Sequence, residues 1–217
     1  MRNQVRAFLQ AYGTKKVKKS LWNTEFSQGR WDCLESSIGD LVYPYIEKYT
    51  NHGSILDLGC GSGSTGNELD SRAYADYTGV DISDVAIEKA RVRTKESGRA
   101  DKNNYFQSDT LSYVPTRQFD VILYRDSIYY IRRAKIKPML ERYSKYLKKG
   151  GVFIVRMWSA DGKYGPIVDI IERNFEVVEK HLSDQPAKTV VMVFRPSARP
   201  ARRLLSGTEH HRNAGPS

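Results

Sequence analysis

The stretch Ile55-Leu56-Asp57-Leu58-Gly59-Cys60-Gly61-Ser62-Gly63-Ser64-Thr65-Gly66 runs from an apolar segment into glycines at alternate positions, with an acid just ahead of them. Such glycines let a ligand approach the backbone closely before a helix begins. Gly61, Gly63 and Gly66 have the G-x-G-x-x-G spacing, and Asp81 lies twenty residues beyond Gly61, a separation that suits a nicotinamide dinucleotide. Asp57 argues against that ligand. A carboxylate at the strand end beside the loop would add negative charge near a pyrophosphate, and it suits a cationic group better. Asp81, at a later strand end, can accept hydrogen bonds from the two hydroxyls of a ribose. Asp109 and Asp126 follow further apolar runs. Cys60 reads as a small loop residue rather than a nucleophile, since no activating base is evident.

These residues need a scaffold of alternating elements. The strand candidates are Ser54 to Leu58, Tyr77 to Asp81, Tyr105 to Gln107, Phe119 to Tyr124, Val152 to Met157, Glu176 to Leu182 and Thr189 to Phe194. Most are continuous apolar runs, as expected of strands buried on both faces of a parallel sheet. Between them, Thr65-Gly66-Asn67-Glu68 has capping-box spacing, Ser83 or Asp84 can cap a helix from Val85 to Glu96, Pro138 fits a helix start, and Gly150-Gly151 fits that helix's end. A further helix is expected from Leu34 to Tyr49. The series predicts an α/β fold with a doubly wound, seven-stranded, mostly parallel sheet and ligands at the carboxyl ends of its strands. Only six residues separate the last two strands, too few for a parallel crossover, so the final strand should be antiparallel to its predecessor.

The loop Asp57-Leu58-Gly59-Cys60-Gly61-Ser62-Gly63 resembles the first motif of class I S-adenosylmethionine-dependent methyltransferases. Val80-Asp81-Ile82-Ser83 is similar to the family's second-strand end, whose acid holds both ribose hydroxyls while the next apolar residue packs on adenine. Ser108-Asp109-Thr110 resembles the third motif, where a carboxylate accepts from the adenine amino group. Phe119-Asp120-Val121-Ile122 and Leu147-Lys148-Lys149-Gly150-Gly151-Val152 resemble the fourth strand and the turn into the fifth. The resemblance covers residues 50 to 194 and implies a Rossmann-like methyltransferase fold with S-adenosylmethionine as cofactor. Asp57 and the backbone of Gly59, Cys60, Gly61 and Gly63 would surround the cationic methionine part, Asp81 and Ile82 the ribose and adenine, and Asp109 and Thr110 the adenine edge. Arg125 is assigned to the same cofactor site.

The acceptor side follows the fourth strand, in Tyr124-Arg125-Asp126-Ser127-Ile128-Tyr129-Tyr130. Asp126 is the candidate base or acceptor-orienting group, needed as a base only if the acceptor must lose a proton. Capping of the next helix or pairing with Arg125 or Arg132 is its plainer role. Tyr129 and Tyr130, adjacent and so pointing differently, supply one pocket wall and one packing residue. Arg156, Met157 and Trp158 end the fifth strand as the opposite wall. Phe26 to Trp31 form a candidate lid, with Arg30 near the cofactor carboxylate and Trp31 as apolar cover. No Asn-Pro-Pro-Tyr type motif follows the fourth strand, which argues against adenine or glutamine amide methylation. The two cysteines, Cys33 and Cys60, do not resemble the pair used in pyrimidine C5 methylation.

The 217 residues predict three parts: an N-terminal helical cap over residues 1–50, a cofactor-binding domain over 51–195, and a disordered basic tail over 196–217. The formal charge of +10 sits in the ends: residues 1–22 carry six basic residues and no acid, whereas residues 23–194 balance 24 basic against 24 acidic residues. A neutral middle favours an oxygen or nitrogen of a small molecule as methyl acceptor, because nucleic-acid enzymes surround their sites with cation. An RNA methyltransferase using the basic termini, or a cofactor-binding partner protein without chemistry, are the alternatives. Too few cysteines for a disulfide framework, no apolar run long enough for a membrane span and no signal-type stretch after Met1 imply a cytoplasmic protein without membrane partner or metal. Its oligomeric state is not legible.

Overall fold

The computed structural model describes residues 2–31, 37, 39–158, 164–183 and 188–197. Cys33 and the tail beyond Ser197 lie outside the described residues. The strands are β1 (Ser54–Leu58), β2 (Asp76–Asp81), β3 (Asn103–Gln107), β4 (Phe119–Arg125), β5 (Leu147–Trp158), β6 (Phe175–Ser183) and β7 (Thr189–Pro196). They form one sheet in the order β3-β2-β1-β4-β5-β7-β6. The first five are parallel, and β7 is antiparallel to both β5 and β6, as the short β6–β7 connection requires. The order reverses between β1, which continues into β2, and β4, so the carboxyl ends of these neighbours form the switch point where doubly wound sheets bind ligands.

Both faces are covered. Leu56 and Leu58 of β1 and Ile122 and Tyr124 of β4 pack with α6 (Arg133–Ser144) and α7 (Gly165–Asn174). The alternate residues Ile55, Val121 and Leu123 pack with α3 (Tyr43–Thr50) and α5 (Asp84–Glu96). This two-sided burial explains why the central strands read as unbroken apolar runs. Asp57 shares the face of Ile55, which puts a carboxylate inside the sheet's covered side. Ahead of the sheet, α1 (Arg2–Tyr12) and α2 (Lys15–Ser27) are joined at Gly13, and α2 packs on α5.

Four local expectations are corrected. Helix α4 (Ser64–Glu68) starts after Gly63 in a left-handed conformation, without a side-chain cap; Glu68 accepts instead from Ser37 and Tyr43 and pairs with Arg93, so the capping box does not form. Pro138 lies inside α6, where its missing N–H forgoes one internal hydrogen bond. Helix α6 ends at Ser144, and Gly150 instead takes φ +84 within β5, absorbing extra residues between the pairs Phe119–Leu147 and Val121–Val152. The helix expected from Leu34 begins only at Tyr43, since Gly39 is left-handed at φ +83; residues 34–36 and 38 are outside the described set. Ser83 does cap α5, accepting from Ala86 N–H at 3.1 Å.

Candidate functional site

Strand β1 is buried along its whole length and delivers Asp57 and Leu58 to the loop. Gly59, Gly61 and Gly63 have φ of +87, +54 and +79, conformations that cost other residues about 1–2 kcal/mol each. Gly59 and Cys60 donate to the Val80 carbonyl at 2.7 and 3.1 Å, so the loop stays tied to the end of β2. A Cβ on Gly59 would come within 2.4 Å of Ser127 Cβ. The loop and the β4 end are therefore packed backbone to side chain, and Ser127 Oγ donates to the Leu58 carbonyl at 2.6 Å.

Asp57 is 1% exposed. Its Oδ2 accepts from the Tyr77 hydroxyl at 2.5 Å, while Oδ1 is buried with no hydrogen-bond partner among the described residues. Burial pushes its pKa up to about 6, with the Tyr77 hydroxyl, the Arg125 charge and the nearby Thr65 hydroxyl opposing the rise. It is thus mostly ionised at neutral pH, with Oδ1 carrying no hydrogen bond among the described residues. Asp81 closes the other side: Oδ2 accepts from Gly61 N–H at 3.0 Å and Oδ1 from Ser83 N–H at 2.9 Å, and burial raises its pKa. Burial also pushes the Cys60 thiol well up, which keeps it protonated and agrees with a packing role.

Ser108 N–H donates to the Asp81 carbonyl at 2.8 Å, bringing the end of β3 beside the end of β2. Asp109 there accepts from Leu111 N–H at 2.7 Å and so also caps its own turn. Thr110 lends its carbonyl to Arg142 and Tyr143. Ile82 is half-buried next to Asp81. The structure therefore brings Asp57, the glycine loop, Asp81 and Ile82 together at the carboxyl ends of β1 and β2, with Asp109 and Thr110 following β3.

The β4 end holds a charged network. Arg125 forks onto Asp40 Oδ2 at 3.1 and 2.8 Å and lies 5.7 Å over the Tyr43 ring, so its direct partners are these residues of the N-terminal region. Arg156 pairs with Asp126 and approaches Asp40 at 3.6 Å. Asp126 has φ +51, and its Oδ1 accepts from Trp158 N–H at 3.0 Å and the Tyr129 hydroxyl at 3.3 Å. Burial raises its pKa against the pull of Arg156. Arg132 goes elsewhere, donating to the Tyr12 carbonyl at 3.0 Å. Asp40 and Tyr77 were not singled out from sequence. Tyr77 opens a strand as an ordinary β-former, and Asp40 follows a lone glycine.

Helix α2 lies over the glycine loop and the start of α5. The Phe26 ring is 3.5 Å from where a Gly61 Cβ would stand, Asn23 accepts from Ser83 Oγ at 2.8 Å, and Lys19 pairs with Asp84 at 3.0 Å. Trp22 meets the Tyr130 ring edge-on at 4.8 Å, with Trp31 at 5.8 Å. Arg30 pairs with Glu25 at 3.3 Å rather than reaching the glycine loop.

Residues 56–153 match a family model described as a methyltransferase domain. An mRNA cap guanine-N(7) methyltransferase of Cryptococcus neoformans is 30% identical over 121 residues, 49% of this chain and 19% of that protein. A sterol 24-C-methyltransferase of Gibberella zeae is 31% identical over 109 residues, 48% of this chain and 27% of that protein. The chain thus spans well under half the length of these relatives. The N-methyltransferase NodS of Bradyrhizobium japonicum, crystallised with S-adenosyl-L-homocysteine, superposes with a TM-score of 0.66 at 15% identity, covering 82% of this chain and 97% of that one. Over residues 56–153 the chain carries a methyltransferase domain, and its seven-stranded sheet has the fold of the structure it superposes on.

Proposed function

We propose that this methyltransferase domain transfers a methyl group from S-adenosylmethionine to an oxygen or nitrogen of a small-molecule acceptor. The observation that carries the reading is the buried, unpartnered Oδ1 of Asp57 beside three left-handed glycines. A cationic ammonium fits that oxygen, and a dinucleotide pyrophosphate does not. When bound, the cofactor supplies a methyl group already activated on a sulfonium. The chain's own residues then have to bind, orient and exclude water. Asp57 and the loop N–H groups hold the amino-acid end, Asp81 exchanges its Gly61 contact for ribose hydroxyls, and Ile82, Asp109 and Thr110 border the adenine. Phe26 and α2 exclude water above Gly61, which favours displacement in a dry, oriented site. Asp126, held by Arg156, Tyr129 and the Trp158 N–H, orients the acceptor and is the group that would take a proton from it.

Calorimetric titration with S-adenosylmethionine, S-adenosylhomocysteine and NADH tests this reading. Micromolar binding of the adenosyl ligands alone supports it; binding of NADH alone overturns it.

A second reading has one observation in its favour. Lys15 reaches Ser112 at 3.1 Å, and Lys18 sits close enough to Asp109 and Arg132 for their charges to act on it, so basic residues of α2 flank the segment after β3. An RNA acceptor would track this strip and give binding that falls steeply with salt; salt-independent or absent RNA binding rejects it.

A further inference from the structure

A helix that packs on a protein ordinarily turns its apolar stripe inward and leaves its polar side to water. Helix α1 does the reverse. Val5, Phe8 and Tyr12, at the i, i+3, i+7 spacing that puts side chains on one face, are 54%, 60% and 50% exposed. Polar groups stand on the inner side. Gln10 is 5% exposed, and Arg6 pairs with Glu25 of α2 at 2.9 Å, with the Glu25 side chain only 4% exposed. That pair fixes which face looks inward, because turning α1 over would take Arg6 away from a buried carboxylate. The apolar stripe is left to the outside.

The surroundings of the stripe are cationic. Residues 1–22 hold six basic residues and no acid. Arg6 is turned to Glu25 and Lys19 to Asp84, but Lys15 and Lys16 are exposed just beyond Tyr12. Arg132 stands 4.5 Å over the Tyr12 ring and donates to the Tyr12 carbonyl, and it opens the exposed run Arg132-Arg133-Ala134-Lys135. Burial lowers the Lys18 pKa; Asp109 pulls it up and the Arg132 charge pulls it down again. Like charges therefore crowd at this end of α1, and an anionic partner relieves the crowding.

Charge and apolarity together select the occupant. A second copy of the chain would set the same cations against each other, which is unfavourable. A nucleic acid matches the charge but uses open ring faces for stacking. Here the Phe8 and Tyr12 rings stack on each other at 5.0 Å and 13°, Arg132 lies over Tyr12, and Val5 offers a nucleotide nothing. An anionic bilayer takes both features, with hydrocarbon for the stripe and headgroup phosphates for the basic side chains. No described helix is long and apolar enough to cross a membrane, so the contact is interfacial. The expectation of no membrane partner came from the absence of a span and does not address such a contact.

We infer that the outer face of α1 docks on an anionic lipid surface, with Val5, Phe8 and Tyr12 entering the headgroup region and Lys15, Lys16 and Arg132 meeting its phosphates. The docking face is opposite to the Arg6–Glu25 pair, so α2 keeps its place with Phe26 against Gly61.

Co-sedimentation of the full chain with vesicles of phosphatidylcholine alone and of an equimolar phosphatidylcholine–phosphatidylglycerol mixture tests this. The expected result is binding to the anionic vesicles that falls steeply with salt, and little binding to the neutral ones. Phe8→Ser and Val5→Ser, both at exposed positions, should each weaken it about fivefold or more, and Lys15→Gln and Lys16→Gln about fivefold each. Phe8→Trp should keep the binding and shift its emission to the blue when anionic vesicles are added, as a ring leaving water does. No binding to anionic vesicles, equal binding to neutral ones, or binding that Phe8→Ser and Val5→Ser both leave unchanged overturns the inference. So does either other occupant: a dimer in sedimentation that Phe8→Ser dissolves puts a second copy on the stripe, and binding of an oligouridine with none to vesicles makes the cationic end a nucleic-acid contact. None of these readouts uses the cofactor, so the outcome is independent of the methyltransferase reading.

Discussion

Replacing Asp57 with Asn separates the cost of the buried carboxylate from its use. Asn keeps the shape and an oxygen for the Tyr77 hydroxyl but cannot ionise. In the wild type the folded pKa is raised from 3.8 to about 6, so the folded state holds this proton more tightly than the unfolded chain. Stability from this group is therefore greatest at low pH and is lost as pH rises through the interval from about 4 to 6. Linkage between those two values makes the wild type more stable at pH 5 than at pH 7.5 by about 1.4 kcal/mol from Asp57 alone. Any steric or hydrogen-bond penalty of the Asn side chain is the same at both pH values, so it cancels in the difference. The measurement is urea unfolding of wild type and Asp57→Asn at pH 5 and 7.5 without ligand. The gap between the two proteins should move by about 1.4 kcal/mol in favour of the variant as pH rises, or roughly 3–6 °C in melting temperature for a chain of this size. Binding gives the opposite sign. On the proposed role of Asp57 toward the cofactor's ammonium, only the ionised carboxylate binds well, so wild-type affinity for S-adenosylhomocysteine should fall about tenfold between pH 7.5 and pH 5, whereas the variant should be weak and flat. A stability gap that does not change with pH would refute the buried, titrating carboxylate; a variant that binds as tightly as wild type at pH 7.5 would refute its role toward a cation.

Gly59→Ala places a Cβ 2.4 Å from Ser127 Cβ at φ +87, so it should destabilise by about 3 kcal/mol in denaturant unfolding, with Ser127→Gly restoring part of the loss; a variant as stable as wild type would show that the loop and the β4 end do not touch. Asp81→Ala strands the Gly61 and Ser83 N–H groups and should cost roughly 1–3 kcal/mol even without ligand, in addition to weakened adenosyl binding by calorimetry; unchanged melting and unchanged affinity together would contradict both roles. Asp126→Asn should leave cofactor affinity intact and lower turnover roughly a hundredfold, with loss of the acidic limb of the pH–rate profile if Asp126 takes a proton; full turnover with the original profile would exclude it from the acceptor side.

The parts of the fold that could be read were those in which one residue type answers one physical demand. The central strands must be buried on both faces and so show as apolar runs, the β6–β7 connection is too short for anything but an antiparallel return, and three glycines at φ > 0 leave few alternatives to a close-approach loop. The errors fell where a signal has two solutions. Gly150 was expected as a helix end but serves an irregular strand, because a left-handed residue ends a helix and absorbs a register shift equally well. Thr65 and Glu68 have capping-box spacing, yet Glu68 is claimed by Ser37, Tyr43 and Arg93 from distant elements, and tertiary partners outweigh a local cap worth about 1 kcal/mol. Arg125 shows the same competition at the site. Its neighbours in sequence do not reveal Asp40, 85 residues away, and that pair decides where the guanidinium points. The pair also matters to Asp57, whose ionised form Arg125 favours across the interior. Arg125 thus bears on Asp57 through charge even with its donors turned to Asp40. The N-terminal segment, whose aromatic and basic residues carry no motif, acquires its meaning only once Trp22 and Phe26 are seen against Tyr130 and Gly61. Packing of this kind is legible in three dimensions because its meaning lies in which surface the residues cover.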